Sequence, residues 1–396
     1  MIILGAMSGT STDGIDVAAL ELIEGRFRYL GMYSEGFNPQ LQAALLKLQE
    51  LPWLPCGQSI SNTVKPEDGL TNLLLTRKAL SEAYVSACEG LLNGLSLDRS
   101  KVAAVGVHGQ TLRHRPDLGF TYQMIDPAWV ASQLGVDVVS DFRSKDVALG
   151  GQGAPLVPAF HQAWLRSHGI QGDAAVLNLG GFSNLTVLTT VDSISHIVGG
   201  DCGPANVWMD YVMRQHFGQP FDENGQCARS GQVNVSLLGE LMSHPFFGKA
   251  WPKSTGRDDF TLQRLDEAIQ AAASSTNGGV CSPQDVMRTL LELCAQTVVD
   301  CLKPYSMGSL WVCGGGAYNS FLLERIQALL QANTQPTGVQ KTVVARMDDL
   351  GLPVMAVEAA AFAWLAAQFL NRSAGNSVGV TGASRPAVLG SLTYSN

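Results

Sequence analysis

Short apolar runs separated by glycine-rich turns open the chain, and the same plan recurs once in its second half. Residues 2–7 (Ile-Ile-Leu-Gly-Ala-Met) form one run, 17–23 a second and 27–33 a third, each too short for a helix. That spacing predicts a strand–turn–strand–turn–strand meander. Residues 174–188 repeat it: a strand enters a Gly-Gly turn and leaves as a strand, and 196–199 supplies a third. After each meander the apolar period lengthens to that of helices alternating with single strands. In the first half this predicts helices at 40–50, 69–95 and 128–134 and strands at 102–107 and 136–140. In the second it predicts helices at 205–217, 233–242, 261–273, 283–302 and 321–330 and a strand at 310–313. A meander followed by αβ elements, twice over, predicts two related α/β domains facing one another. The segments 51–68 and 219–232 read as insertions. Residues 352–370 are almost wholly apolar and long enough to span a bilayer. Their Glu358 and Gln368, their alanine content and the lack of a companion span make them a buried interdomain helix instead.

Composition narrows the class. Of 396 residues, 46% are hydrophobic and only 15% charged, so a large core is available and much surface is buried. With 26 basic against 34 acidic residues the formal charge is −8, which lacks the footprint of a general nucleic-acid binder and favours small-molecule partners. The eight cysteines form no C-x-x-C pair. Together with an N-terminus that has no basic stretch ahead of its apolar run, this reads as reduced thiols in a cytoplasmic protein. No H-x-H or H-E-x-x-H arrangement supports a zinc site, so no metal held directly by protein ligands is expected.

The chemistry is concentrated in turns. Gly9-Thr-Ser-Thr-Asp-Gly-Ile-Asp16 brings hydroxyls, two carboxylates and two glycines to one hairpin. Bare glycine backbone approaches an anion closely, and Asp13 and Asp16 would meet a phosphate through Mg²⁺ or water. An ordinary solvated hairpin turn is the plain alternative. Asn178-Leu-Gly-Gly-Phe-Ser-Asn184 is the counterpart turn of the repeat, suited to the other side of the same polyphosphate. Leu310-Trp-Val-Cys-Gly-Gly-Gly-Ala-Tyr-Asn319 runs from strand through three glycines to a helix start, where a nucleotide can rest or a tight βα turn can simply close. Asp201 stands just before the helix predicted from 205, either as its cap or as a general base. His108 ends a strand at the edge where α/β sheets bind ligands, or else is a satisfied core histidine. Glu358, in the apolar run, needs a ligand, a cation or a hidden hydrogen-bond network. Lys253-Ser-Thr-Gly-Arg-Asp258 reads as a solvated polar loop. Asp141-Phe-Arg-Ser-Lys-Asp146, with Gly150-Gly-Gln-Gly-Ala-Pro155, reads as the crossing between the halves. No Walker A loop, dinucleotide fingerprint or G-x-S-x-G occurs.

Taken in order, the 9–16 turn, Val107-His-Gly-Gln-Thr111, Asp141-Phe-Arg143, the run 150–161, Asn178-Leu-Gly-Gly181, Gly203-Pro-Ala-Asn206, Lys253-Ser-Thr-Gly-Arg257 and 312–319 resemble the anhydro-N-acetylmuramic acid kinase family, within the sugar kinase and actin superfamily. The likeness runs from residue 3 to about 370. It implies two RNase H-like (actin-like ATPase) domains around an interdomain cleft, 1–160 with about 359–396 and 161–358. It also implies ATP with Mg²⁺, held by Gly9, Thr10, Ser11, Thr12, Asp13, Gly14, Ile15 and Asp16 on one side. Gly180 and Gly181, and the nucleotide triplet Gly314, Gly315 and Gly316, lie on the other. Asp201 matches the water-activating carboxylate, and Glu358 matches a substrate-side carboxylate, with His108 beside it. The reaction implied is phosphorylation of the 6-oxygen of 1,6-anhydro-N-acetylmuramic acid while water opens the anhydro bridge, in peptidoglycan recycling, by a cytoplasmic homodimer. Thr12, Cys202 and Asp258 depart from the family's usual leucine, threonine and glutamate. A kinase of the same superfamily with another sugar or acid, and a non-enzymatic ATP-driven clamp or filament, are the alternatives.

Overall fold

A computed structural model describes residues 1–9, 12–50, 66–191, 194–251, 253–256, 258–275, 281–333 and 342–396. Thr10, Ser11, Arg257 and most of the 51–68 segment therefore lie outside the described residues. The strands of the first half are β1 (Ile2–Met7), β2 (Gly14–Ile23), β3 (Arg26–Gly36), β4 (Val102–Val107), β5 (Gln110–Arg115), β6 (Phe120–Met124) and β7 (Val138–Ser140). Those that follow are β8 (Ala174–Leu179), β9 (Phe182–Val191), β10 (Ile194–Pro204), β11 (Ser309–Cys313), β12 (Val343–Arg346) and β13 (Ser391–Thr393).

Two compact units result, one made of residues 1–167 and 356–396, the other of 168–355. In the first, the sheet order is β13-β7-β4-β1-β2-β3, and in the second it is β10-β9-β8-β11-β12. The core of both is the same: an antiparallel three-strand meander whose first strand pairs in parallel with the next strand, which pairs in parallel with a further one. This is the RNase H-like arrangement, and it occurs once in each unit.

Several expectations change. The change of unit falls after Ser167, because the helix Val157–Ser167 stays on the first unit: Phe160 meets Trp364 at a ring separation of 6.2 Å. The 141–155 segment is accordingly part of the first unit rather than a crossing. The apolar run at 352–370 is helical only over Val357–Leu370 and packs on β1, β2 and β4 within that unit. Among the described residues no helix is long and apolar enough to cross a membrane. β5 and β6 form a two-stranded hairpin that the sequence pattern did not predict. The 219–232 segment is not a bare insertion: Asp222 accepts from the Cys227 and Ala228 amides at 2.8 and 3.0 Å and starts the helix Gln226–Ser230.

Tight packing explains two glycines. A Cβ on Gly5 would lie 2.1 Å from the Ala359 carbonyl oxygen, and one on Gly106 would lie 2.2 Å from that of Phe362. Adjacent strands β1 and β4 thus let the helix Val357–Leu370 settle directly onto their backbones.

Candidate active site

In the first unit the turn between β1 and β2 is fastened from several sides. Ser8 Oγ and Tyr84 Oη share a hydrogen bond of 2.9 Å, and Ser8 Oγ donates to the Gly109 carbonyl. Gln110 Nε2 donates to the Gly9 carbonyl at 3.1 Å, and Gln42 Nε2 to that of Thr12 at 2.9 Å. Thr12 is buried with φ of 55°, a left-handed conformation that a β-branched residue adopts only under constraint. The described part of the turn is therefore preorganised. Beyond it, Gly14 and Ile15 begin β2, and Asp13 is exposed. Asp16 accepts from Ser34 Oγ at 2.6 Å, yet burial, and then the Asp13 charge, hold its carboxyl above the ordinary value.

The same unit brings His108 and Glu358 toward this turn through a residue that sequence reasoning quoted but gave no role. Arg143 Nε donates to His108 Nε2 at 3.0 Å, and Nη1 donates to the Gly153 carbonyl at 2.9 Å. Burial lowers the Arg143 pKa to about 10, while the Glu358 charge pulls it back up. Burial, followed by the Arg143 charge, keeps His108 well below the usual imidazole value, so its ring is neutral. Glu358 stands on the first turn of its helix, reached by solvent yet crowded by surrounding protein, whose desolvation raises its carboxyl while Arg143 lowers it and Asp16 raises it again. His108 thus meets Arg143 first.

In the second unit, the Gly180–Gly181 turn joins β8 to β9. Its carbonyls accept from the backbone amides of Ala205, Asn206 and Val207, and Asn206 Nδ2 adds a bond to Gly180 at 2.8 Å. The start of the helix Asn206–Phe217 therefore clamps the turn. The glycine triplet reaches the same place: a Cβ on Gly314 would lie 2.4 Å from Asn178 Oδ1, and one on Gly316 would lie 2.6 Å from Leu179 Cβ. Gly315 faces open space, and a one-turn 3₁₀ segment, Gly315–Tyr318, follows instead of an immediate α-helix.

Asp201 is not a helix cap. It lies inside β10 opposite Asn184, at a bulge before Gly203, and the helix that follows is preceded by Ala205 with no side-chain cap. Its Oδ2 accepts from the Thr255 amide at 2.9 Å, its own N–H goes to the Lys253 carbonyl, and among the described residues Oδ1 takes no hydrogen bond. Burial raises its pKa, with the Thr255 bond opposing. Lys253, expected in a solvated loop, instead donates to the Phe246 and Phe247 carbonyls and lies 4.4 Å over the Phe246 ring. That fastening holds the 253–255 backbone against the bulge. Cys202, beside Asp201, points into the core, where burial pushes its thiol well up.

A family model described as anhydro-N-acetylmuramic acid kinase matches residues 1–395. The chain belongs to the anhydro-N-acetylmuramic acid kinase family. It is 41% identical over 395 residues to the anhydro-N-acetylmuramic acid kinase of Paraburkholderia xenovorans (strain LB400), covering 99% of this chain and 97% of that one. It is 42% identical over 400 residues to that of Variovorax paradoxus (strain S110), covering 99% and 98%. Among solved structures, a ROK family glucokinase from Streptomyces griseus is similar at a TM-score of 0.41, with 14% identity over 93% of this chain and all of that one. As a member of the anhydro-N-acetylmuramic acid kinase family the chain is an enzyme, a phosphotransferase acting on a sugar. Sequence reasoning gave Arg143 and Thr255 no place in the candidate site. The signal for Arg143 lay in Asp141-Phe-Arg143, a guanidinium just ahead of a glycine-rich run. Thr255 lay within Lys253-Ser-Thr-Gly-Arg257, one of the runs that carry the family resemblance, but its part as a backbone amide donor leaves no trace in residue identity.

Proposed function

We propose that the enzyme transfers the γ-phosphoryl group of ATP to the 6-oxygen of 1,6-anhydro-N-acetylmuramic acid while water opens the anhydro bridge, giving N-acetylmuramic acid 6-phosphate. The observation that carries this reading is Asp201: a carboxylate fixed through one oxygen by the Thr255 amide, with the other open and its basicity raised by burial. That is the equipment of a general base that takes a proton from water.

The bond changes balance around it. Water's oxygen attacks the anomeric carbon and gives its proton to Asp201, the bond from that carbon to the 6-oxygen breaks, and the 6-oxygen captures the phosphoryl group as ADP departs. Base and leaving oxygen work on opposite faces of the ring. The turn formed by Gly9, Thr10, Ser11, Thr12, Asp13, Gly14, Ile15 and Asp16 serves the phosphates. Gly180 and Gly181 serve the phosphates as well, while Gly314, Gly315 and Gly316 serve the nucleoside. Asp13 and Asp16 fit Mg²⁺: two hard oxygen donors, one already destabilised as an anion by burial and by the other, gain from a divalent cation. When bound, that ion neutralises charge on the transferring phosphates. Glu358 and His108 belong to the sugar side. The setting is the cytoplasm, where ATP is available, the role is peptidoglycan recycling, and the working form is a homodimer.

The test is turnover in ¹⁸O-water with Mg-ATP and the anhydro sugar, read by mass spectrometry. ADP with a sugar phosphate carrying one ¹⁸O supports the reading. An unlabelled sugar phosphate removes the hydrolytic step, and with it the assigned role of Asp201. ADP formation only with a different sugar overturns the substrate.

A further inference from the structure

One nitrogen of the Arg143 guanidinium is unused. Its Nε–H goes to His108 and an Nη1–H to the Gly153 carbonyl, and among the described residues Nη2 has no partner. Both acceptors are themselves fixed. The His108 ring packs against Phe362 with centroids 4.6 Å apart. Gly153 is anchored by its own N–H to Asp146 Oδ2 at 2.8 Å, and the other oxygen of that fully buried carboxylate accepts from Asn376 Nδ2 and Thr381 Oγ1, each at 2.8 Å. Gly151 has no room for a side chain, since its Cβ would lie 2.3 Å from Asp146 Oδ2. The fork is therefore aimed by a rigid shell behind it, as a recognition group requires.

Its natural protein partner does not close on it. Glu358 acts electrostatically on Arg143, yet among the described residues no ion pair within 4.0 Å joins them, and Glu358 is exposed. Opposite charges held apart, each with open valence, leave room for a ligand that carries a carboxylate for the guanidinium and a hydroxyl for Glu358. The single free nitrogen, Nη2, suits one carboxylate. A triphosphate would need several donors, more than the one unpartnered nitrogen of Arg143 supplies.

We propose that Arg143 is the specificity-determining residue of the sugar site, receiving a substrate carboxylate on its free Nη2. For the identity of that sugar the proposal rests on the function proposed above. The lactyl ether of muramic acid supplies the carboxylate, and the otherwise identical 1,6-anhydro-N-acetylglucosamine lacks it.

The experiment is calorimetric titration of the full-length enzyme with each of these two sugars, for wild type, Arg143→Gln and Arg143→Lys, with melting temperatures recorded alongside. Wild type should bind the muramic sugar roughly 30- to 150-fold more tightly than the glucosamine analogue, the worth of one charge-assisted pair. Arg143→Gln should bring that ratio to within about threefold. Arg143→Lys, which keeps the charge without the fork, should fall between and guards against a glutamine variant that does not fold. A wild type that binds both sugars alike, or neither, overturns the proposal. So does a ratio unchanged in Arg143→Gln, or a variant whose only loss is in ATP affinity. Selective binding of the muramic sugar that yields no sugar phosphate sinks the kinase reading and leaves the assignment of Arg143 standing.

Discussion

At Asp201, stability and chemistry pull in opposite directions. Burial raises its pKa in the fold, so the ionised form that a base needs is disfavoured there relative to the unfolded chain. The sign follows: the native state gains stability as pH falls through the raised value, while activity is lost over the same range. Replacement by asparagine keeps an oxygen for the Thr255 amide and removes the charge. Asp201→Asn should therefore lower turnover on the order of 10²–10⁴-fold with ATP binding retained. At pH 7 it should melt no lower than wild type, the difference shrinking toward acid pH. In wild type, the acidic limb of kcat/KM should lie above the ordinary aspartate value of 3.8. Near-normal turnover in the variant would remove Asp201 from catalysis. The glycine triplet 314–316 offers a sharper steric contrast. Gly315→Ala meets open space and should shift stability by less than ~0.5 kcal/mol. Gly316→Ala drives a methyl to within 2.6 Å of Leu179 Cβ and 3.0 Å of its carbonyl oxygen, and should cost about 2 kcal/mol in a denaturant titration. Equal effects from the two would show that the triplet does not pack as described.

The helix Val357–Leu370 shows how an element can carry a candidate site residue by resting on a sheet. Nearly all of it is buried, and Glu358 on its first turn is its exposed acid. Gly106→Ala would force the Phe362 backbone away from β4, and backbone cannot swing aside as a side chain can. The expected result is a loss of about 3 kcal/mol in stability together with a raised KM for the sugar, since Glu358 moves with its helix. Thermal melts and steady-state kinetics read both; a destabilised variant with an unchanged KM would separate the helix from sugar binding. Elements whose signal is local were legible in the sequence: β1 and β4 match their apolar runs residue for residue, and the helix Pro283–Leu302 begins at a proline. The β5–β6 hairpin escaped because Gln110–Arg115 is mostly polar and pairs only with its own neighbour. β10 was read too short because the glycines around Asp201 look like a turn, and only pairing with β9 makes them strand. Pairing across the chain leaves little local trace. For the same reason the hold on Arg143, which joins positions 108, 143 and 153, was not legible while its separate motifs were.

At the scale of the molecule the chain path has a consequence for folding. The second unit is continuous, 168–355, and contains its whole five-stranded sheet and the buried helix Pro283–Leu302 that covers it. The first unit is interrupted. Its β1 and β4 form early in the chain, yet the helix that packs on them and the edge strand β13 come only after residue 355. Without those 41 residues an apolar face of the sheet stays open to water, with Ile3, Ala18, Leu20 and Ala104, on the side that Gly5 and Gly106 offer to the helix, among its buried side chains. A fragment of 168–355 should therefore show a cooperative thermal transition by circular dichroism. A fragment of 1–167 should melt without cooperativity and bind a hydrophobic dye, and adding the 356–396 peptide should restore a sigmoidal transition. A cooperative melt from 1–167 alone would mean that its core closes without the late helix. Glu358 would then be a graft onto a finished domain, and its reach toward Arg143 and Asp16 would be secondary to folding. The packing at Gly5 and Gly106 argues the other way: strands with no side chain at the contact are shaped for a helix laid directly on their backbone. Glu358 and the last layer of the first unit therefore arrive together.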